Sequence, residues 1–216
     1  MPAASEMKPN ETVIFDFDGT IADTLSVIIR LVNEHAPEFN IKPLGEKDVE
    51  ELRGMSNLDI IKRFKIPLFK VPSIVLMAQK ELHKRMGEVP VFPGIGELIL
   101  DLKARGFRLG ILTSNSAENV LTLLRTRGLD VFDFIHSEQN FFGKNWALLH
   151  LLKKHGLKKE STIYVGDEVR DIEACQKVGV RMIAVSWGFH RRHLLADRKP
   201  TYLVDSAAEI MAIVAG

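Results

Sequence analysis

Apolar and polar positions along the chain fall into two regimes. Thr12-Val13-Ile14-Phe15 is an unbroken apolar and β-branched run, the pattern of a strand covered on both faces, and Gly19 permits a sharp turn out of it. Asp23 or Thr24 then caps a predicted helix with Leu25, Ile28, Ile29 and Val32 at one-face spacing, which Pro37 ends. From Ala36 to Val89 the pattern is helical and charged, its apolar groups being Val49-Leu52, Leu58-Ile61-Phe64 and Ile74-Val75-Leu76-Leu82, with no strong strand signal.

Pro90 and Pro93-Gly94 mark a change of character, after which helices and strands alternate. Ile95, Leu98, Ile99 and Leu102 form a helical stripe stopped by Gly106, and Arg108 to Leu112 a strand ending at Thr113-Ser114-Asn115. The next helix, Ala117 to Arg127, turns Val120, Leu121 and Leu124 inward; a short strand lies near Phe134-Ile135, and Lys144 opens a helix through Leu148, Leu149 and Leu152 to Gly156. Ser161 to Val165 is a strand delivering Gly166-Asp167, Val169 to Val178 a helix, and Arg181 to Val185 a strand. Tyr202 to Val204 and the helix Ala207 to Val214 complete the series. This alternation predicts an α/β fold, a doubly wound, Rossmann-like parallel sheet with right-handed crossovers. Residues 1–22 and 90–216 form the predicted core domain and 23–89 an inserted α-helical subdomain.

Composition narrows the class. A 216-residue chain accommodates one sizeable core plus a modest insert, and a net charge of +1 gives no electrostatic reason to expect nucleic acid or an anionic membrane as partner. The single cysteine, Cys175, excludes an internal disulfide framework and reads as packing; Met1 to Glu11 is polar and reads as a short loose N-terminus, and no segment reaches membrane-spanning length. A cytoplasmic protein is expected.

In doubly wound sheets ligands bind outside the carboxyl ends of the strands. Polar groups cluster at four such places: Asp16 and Asp18, Thr113-Ser114-Asn115, Lys144, and Asp167 with Asp171. Taken alone each has a plainer reading. Asp-x-Asp-Gly is a common turn, Thr113 a strand-end hydroxyl, Lys144 a solvated lysine and Asp171 a helix-dipole acid. Their joint placement is what points to chemistry. Asp16 and Asp18 are two apart on extended chain and so face one way, converging on one cation or one phosphate. Several carboxylates repel an anionic guest, so a hard divalent cation belongs among them, and oxygen ligation favours Mg²⁺. A phosphate then takes hydrogen bonds from Thr113 and charge from Lys144.

These segments resemble, in order, the four motifs of the haloacid dehalogenase superfamily: Val13 to Thr20, the apolar run into Thr113-Ser114-Asn115, Lys144, and Gly166-Asp167-Glu168-Val169-Arg170-Asp171. Ala184 to Phe189 is similar to the phosphoglycolate-phosphatase-like branch, and the helical insert corresponds in position to that superfamily's small cap. The resemblance implies a Mg²⁺-dependent phosphatase acting on a small phosphorylated metabolite such as phosphoglycolate, a sugar phosphate or a nucleotide. It implies Asp16 as nucleophile, Asp18 as general acid/base, Lys144 as the neutralising cation and Thr113, Ser114 and Asn115 as phosphate-side contacts. The metal would lie on Asp16, Asp167, the Asp18 main-chain carbonyl and Asp171. Asp18 speaks for phosphate esters, since dehalogenating members lack it. Asn145 follows the lysine where many relatives carry proline.

A phosphomutase shares these motifs, and receiver-like phospho-acceptor modules combine acids, Thr/Ser and Lys on a similar sheet, though Asp16 opens this chain and the insert has no place in such a module. Arg53, in Arg53-Gly54-Met55-Ser56-Asn57, is either a substrate-facing residue of the insert or a helix terminus. His190-Arg191-Arg192-His193 reads as a solvated helix face, Trp146 and Trp187 as packing, and His150 and His155 carry no assignment. Closure of the insert over the sheet would pivot on 20–24 and 90–96.

Overall fold

The computed structural model describes residues 11–39, 42–55, 57–63, 68–138 and 143–216. The stretch before Glu11, Ser56 and Phe64 lie outside them. Strand β1 (Thr12–Phe15) leads into helices α1 (Thr24–Phe39), α2 (Glu46–Leu52), α3 (Asn57–Arg63) and α4 (Val71–Lys84). Then α5 (Ile95–Ala104), β2 (Arg108–Thr113), α6 (Ala117–Thr126), β3 (Phe134–Ser137), α7 (Lys144–His155), β4 (Thr162–Gly166), α8 (Val169–Val178), β5 (Arg181–Val185), α9 (Arg192–Asp197), β6 (Tyr202–Val204) and α10 (Ala207–Ala215) follow.

The six strands form one sheet in the order β3-β2-β1-β4-β5-β6, and every pairing is parallel. The expected doubly wound α/β fold is therefore present. Strand β1 sits at the centre, its neighbours reached by crossovers in opposite directions, so the crevice at its carboxyl end is the switch point where such sheets take ligands.

The unbroken apolar runs have their reason in the two faces of the sheet. Val13 and Phe15 of β1 join Leu109, Ile111, Ile163 and Val165 on one side, against α5, α6 and α10. Ile14, Leu112, Tyr164 and Met182 point to the other side, against α7, α8 and Leu195 of α9. Each fully buried aliphatic or Phe side chain contributes roughly 1.5–3 kcal/mol, so alternate residues of a single strand stabilise both layers.

The insertion is rooted in the first of these layers. Val27 and Leu31 of α1, with Leu82 of α4 and Met86 and Val89 beyond it, belong to the same apolar cluster as β1. Its two connections to the sheet pair with each other: Asp23 N–H donates to Pro90 O (2.9 Å) and Phe92 N–H to Ile21 O (3.0 Å).

Several local expectations are corrected. Pro37 lies inside α1, which runs on to Phe39; so near the helix end its missing N–H removes one backbone bond without breaking the element. Leu151 rather than Leu149 faces the core on α7, and Leu123 is buried where Leu121 is only half-buried, because the helices are rotated slightly from the face inferred from spacing. Trp146 is 72% exposed and packs no core, whereas Trp187 is half-buried against Phe92. His190 is 1% exposed, since the chain turns inward just before α9.

Candidate active site

Parallel pairing in register brings the carboxyl ends of β1, β2 and β4 level, and the next residues of each strand meet there. Asp16 follows β1, its N–H donating to Val165 O (2.8 Å), and so extends the ladder by one bond before the chain turns. Gly19 makes that turn with φ +75°, and a Cβ on it would fall 2.1 Å from Asp167 Oδ2. Only glycine lets the loop lie against that carboxylate.

Three buried carboxylates converge. Asp16, Asp167 and Asp171 each offer an oxygen within 4.8 Å of the others. Lys144, projecting from the start of α7, donates from Nζ to Asp16 Oδ2 (2.6 Å) and is ion-paired with Asp171. Burial disfavours the Lys144 charge, but Asp16 and Asp171 outweigh it and hold the ammonium above its ordinary pKa. Asp171 also accepts from Glu168 N–H (3.0 Å), capping α8, so its structural role and its place in the cluster coincide.

Asp167 is fully enclosed: Thr20 Oγ1 donates to its Oδ1 (2.9 Å) and Phe189 N–H to its Oδ2 (2.6 Å). Burial, then the charges of Glu168, Asp16 and Asp171, push its carboxyl well above the usual range. Burial likewise lifts Asp171 to about 6, with Lys144 opposing. Three hard oxygen donors crowded in this way fit a small divalent cation that would restore the charge balance.

Asp18 stands beside this cluster, half-buried. Burial and then the Asp16 charge push its carboxyl up to about 6, against hydrogen bonds with Thr24 and Asn115. Asn115 Nδ2 donates to Asp18 Oδ1 (2.9 Å), and Thr113 Oγ1 accepts from Asn115 N–H (2.9 Å). Thr113, Ser114, Lys144 and Arg170, together with Glu138, line a recess at the same strand ends, which offers an anion two hydroxyls and two cations beside one carboxylate. Of the residues inferred from sequence, Asp16, Asp18, Thr113, Ser114, Asn115, Lys144, Asp167 and Asp171 are thus brought together.

Arg53 is placed differently. It comes from the insertion, just beyond α2, and donates to the carbonyls of Gly188 (2.9 Å) and Phe189 (3.2 Å), the latter residue being the one whose N–H holds Asp167. His190 completes this junction: Nδ1 accepts from Val169 N–H (3.0 Å), so Nε2 carries the hydrogen and donates to Met55 O (2.9 Å).

Sequence reasoning assigned no role to Thr20, Glu168, Arg170 or His190. Arg170 pairs with Glu168 (2.6 Å) and reaches Ser114 Oγ (3.4 Å). Thr20, Glu168 and Arg170 sit inside the quoted motifs, where their position was a usable signal; nothing local marked His190 as buried.

A family model described as "Haloacid dehalogenase-like hydrolase" matches residues 13–185. A phosphoglycolate phosphatase of Synechococcus elongatus is 33% identical over 94% of this chain and 97% of its own length. A pyrophosphatase PpaX of Bacillus mycoides is 29% identical over 96% of this chain and 98% of its own. Among solved structures, a predicted phosphatase from Clostridium acetobutylicum superposes with a TM-score of 0.81 at 22% identity, covering 96% of this chain and 99% of that one, which shows the fold. CbbY from Rhodobacter sphaeroides, solved in complex with phosphate, gives a TM-score of 0.72 at 26% identity over 93% of this chain and 96% of its own.

The chain belongs to the haloacid dehalogenase-like hydrolases. Within that family it is an enzyme of the phosphatase kind, a phosphoric monoester hydrolase. Among the described residues no helix is long and apolar enough to cross a membrane.

Proposed function

We propose that the protein is a Mg²⁺-dependent phosphatase that hydrolyses a small phosphorylated metabolite through an aspartyl-phosphate on Asp16. The observation that carries this reading is the convergence of Asp16, Asp167 and Asp171, with Lys144 paired to Asp16 and Asp171 and Asp18 tied in place alongside by Asn115. Asp16, Asp167, Asp171 and the Asp18 main-chain carbonyl would hold the cation. When bound, it supplies positive charge to a phosphoryl oxygen and relieves repulsion between phosphate and carboxylates.

Asp16 attacks phosphorus as the ester P–O bond breaks, and the departing oxygen takes a proton from Asp18. Asp18, now a carboxylate, removes a proton from water as its oxygen attacks the aspartyl-phosphate. Free phosphate leaves, with Asp16 and protonated Asp18 restored. Lys144 offsets the charge shared by Asp16 and the phosphoryl group, while Thr113, Ser114 and Arg170 orient the remaining oxygens.

Residues 23–89 act in this reading as a cap that screens the site from water and selects the substrate. Arg53 of this cap is two hydrogen bonds from Asp167, through Phe189. The names of the relatives direct the choice of substrates toward phosphoglycolate and pyrophosphate. A cytoplasmic setting suits a chain whose lone cysteine is buried.

The test is phosphate release from phosphoglycolate, pyrophosphate, sugar phosphates and nucleotides, with and without Mg²⁺. At least one is expected to release phosphate only with the metal, and Asp16→Asn to lose turnover by roughly 10⁴-fold or more while remaining folded. Absence of release from every compound, or substantial turnover by folded Asp16→Asn, would defeat the proposal. A phosphomutase would return an isomerised sugar phosphate instead of free phosphate.

A further inference from the structure

A directed chain of hydrogen bonds runs from the helical insertion to Asp18. His83, in the last turn of α4, places Nδ1 2.7 Å from Asn119 Oδ1. Asn119, in the first turn of α6, donates from Nδ2 to Asn115 Oδ1 (2.9 Å), and Asn115 Nδ2 donates to Asp18 Oδ1 (2.9 Å). The orientation of every link is forced from one end. Ser116 N–H donates to Asn115 Oδ1 (2.8 Å), so that atom is the oxygen and the Asn115 amino group must face Asp18. Asn119 must then present its amino group to Asn115 and its oxygen to His83, and His83 must carry its hydrogen on Nδ1. The other ring nitrogen lies 3.5 Å from Glu118.

Asn119 and Asn115 are 1% and 3% exposed, which is unusual for amides in a layer otherwise built from Val120, Leu123 and Leu124. Buried amides persist where they are hydrogen-bonded, and His83 is a partner of Asn119 Oδ1. The link between His83 and Asn119 is also the step of the chain that crosses from the insertion to the sheet domain.

We infer that His83 is a positioning residue: seated on α6, it locks Asn119 and Asn115 so that Asp18 keeps one oxygen engaged and turns the other toward the departing oxygen of the substrate. Placement of α4 thereby sets the orientation of the acid/base carboxylate. This rests on the proposed acid/base role of Asp18.

Two phosphate esters separate this role from a merely structural one. An alkyl phosphate needs its leaving oxygen protonated, whereas p-nitrophenyl phosphate expels a stable phenolate. The first transfer is read in a single turnover, because Asp18 also acts as base toward water and steady-state kcat contains that later step for both esters. For His83→Ala, single-turnover release of the alcohol from an alkyl phosphate such as phosphoglycolate is expected to slow roughly 2- to 10-fold, the worth of one hydrogen bond. Substrate affinity should stay unchanged and first-turnover release of p-nitrophenolate should be spared. His83→Asn, whose Nδ2 replaces the ring Nδ1–H, should restore the alkyl-phosphate rate. Equal losses on both esters, or no rescue by His83→Asn, would overturn the inference. Asp18→Asn in the same assay distinguishes the two claims. If it spares first-turnover release of p-nitrophenolate while His83→Ala slows both esters alike, the positioning role alone fails; if Asp18→Asn slows both alike, the acid/base role fails and the positioning role with it.

Discussion

At the carboxyl ends of the strands Asp16, Asp167 and Asp171 are 2%, 0% and 0% exposed, and each is held by a side chain from another segment: Lys144 on Asp16 and Asp171, Thr20 on Asp167. Across from them the insertion keeps Leu68, Phe69 and Leu76 at 64%, 79% and 48% exposure. Beyond the apolar root, its polar links to the sheet domain among the described residues include those at Arg53, Met55 and His83, the Glu50–Arg191 pair, and the Gly87 and Val89 carbonyls that accept from Arg127. One region is enclosed and over-determined; the other leaves apolar side chains in solvent and is held by individually modest bonds. Groups that stabilise a transition state must be fixed before the substrate arrives, because reorganising them would add to the barrier. A region that admits and encloses the substrate needs cheap displacement, and a handful of hydrogen bonds worth about 0.5–1.5 kcal/mol each supplies it.

Substitution on the rigid side should therefore be severe. Lys144→Met keeps much of the side-chain bulk but removes the charge between Asp16 and Asp171. A loss of roughly 10²–10³ in kcat is expected with Mg²⁺ present. A loss of similar size from truncating a residue such as Arg53 would break the contrast. The boundary between the regions should give an intermediate effect. A Cβ at Gly188 would fall 2.3 Å from both Asp167 Cβ and Gly19 O. Gly188→Ala should accordingly displace Asp167 and weaken Mg²⁺ roughly 10- to 100-fold, read from the metal dependence of thermal stability as well as of activity.

The smallest effect should come from the tether. Burial holds His190 below its ordinary pKa, and its Nδ1 accepts from Val169 N–H, facing Glu168 and Arg170 on α8 and Met55 in the insertion. A base whose pKa is lowered on folding contributes stability above its unfolded pKa of about 6.5 and loses it as pH falls through the lower, folded value. The stability advantage of wild type over His190→Gln, measured by thermal unfolding, should thus be larger at neutral pH than in mild acid. Taking the difference cancels Asp18 and Asp171, whose raised values act in the opposite direction. A pH-independent difference would remove His190 from the tether.

The same contrast explains what was legible in the sequence. Strands with apolar runs on both faces place their terminal residues by backbone geometry alone, so Asp16, Thr113 and Asp167 were readable from order and spacing. His190 and His83 act through contacts separated by 21 and 36 positions in the chain, to Val169 and Asn119 respectively, and local pattern carries no trace of such partners. A usable hint existed at Asn119, an amide on the inward side of an apolar helix. Leu149 and Trp146 mislead for the converse reason: apolar character alone reads as inward-facing, whereas Ala147, Leu148, Leu151 and Leu152 form the buried face of α7 and leave both residues outside it.

The central claim is a covalent phosphoryl group on Asp16. Asp18→Asn should slow water attack while p-nitrophenolate still leaves unaided, so that variant, given p-nitrophenyl phosphate and Mg²⁺ and quenched in acid, should accumulate the intermediate. Mass spectrometry of the digested protein is expected to find a phosphoryl group on the peptide containing Asp16 and to localise it there. Release of p-nitrophenol and phosphate with no modified peptide, or with the modification on another residue, would contradict the account.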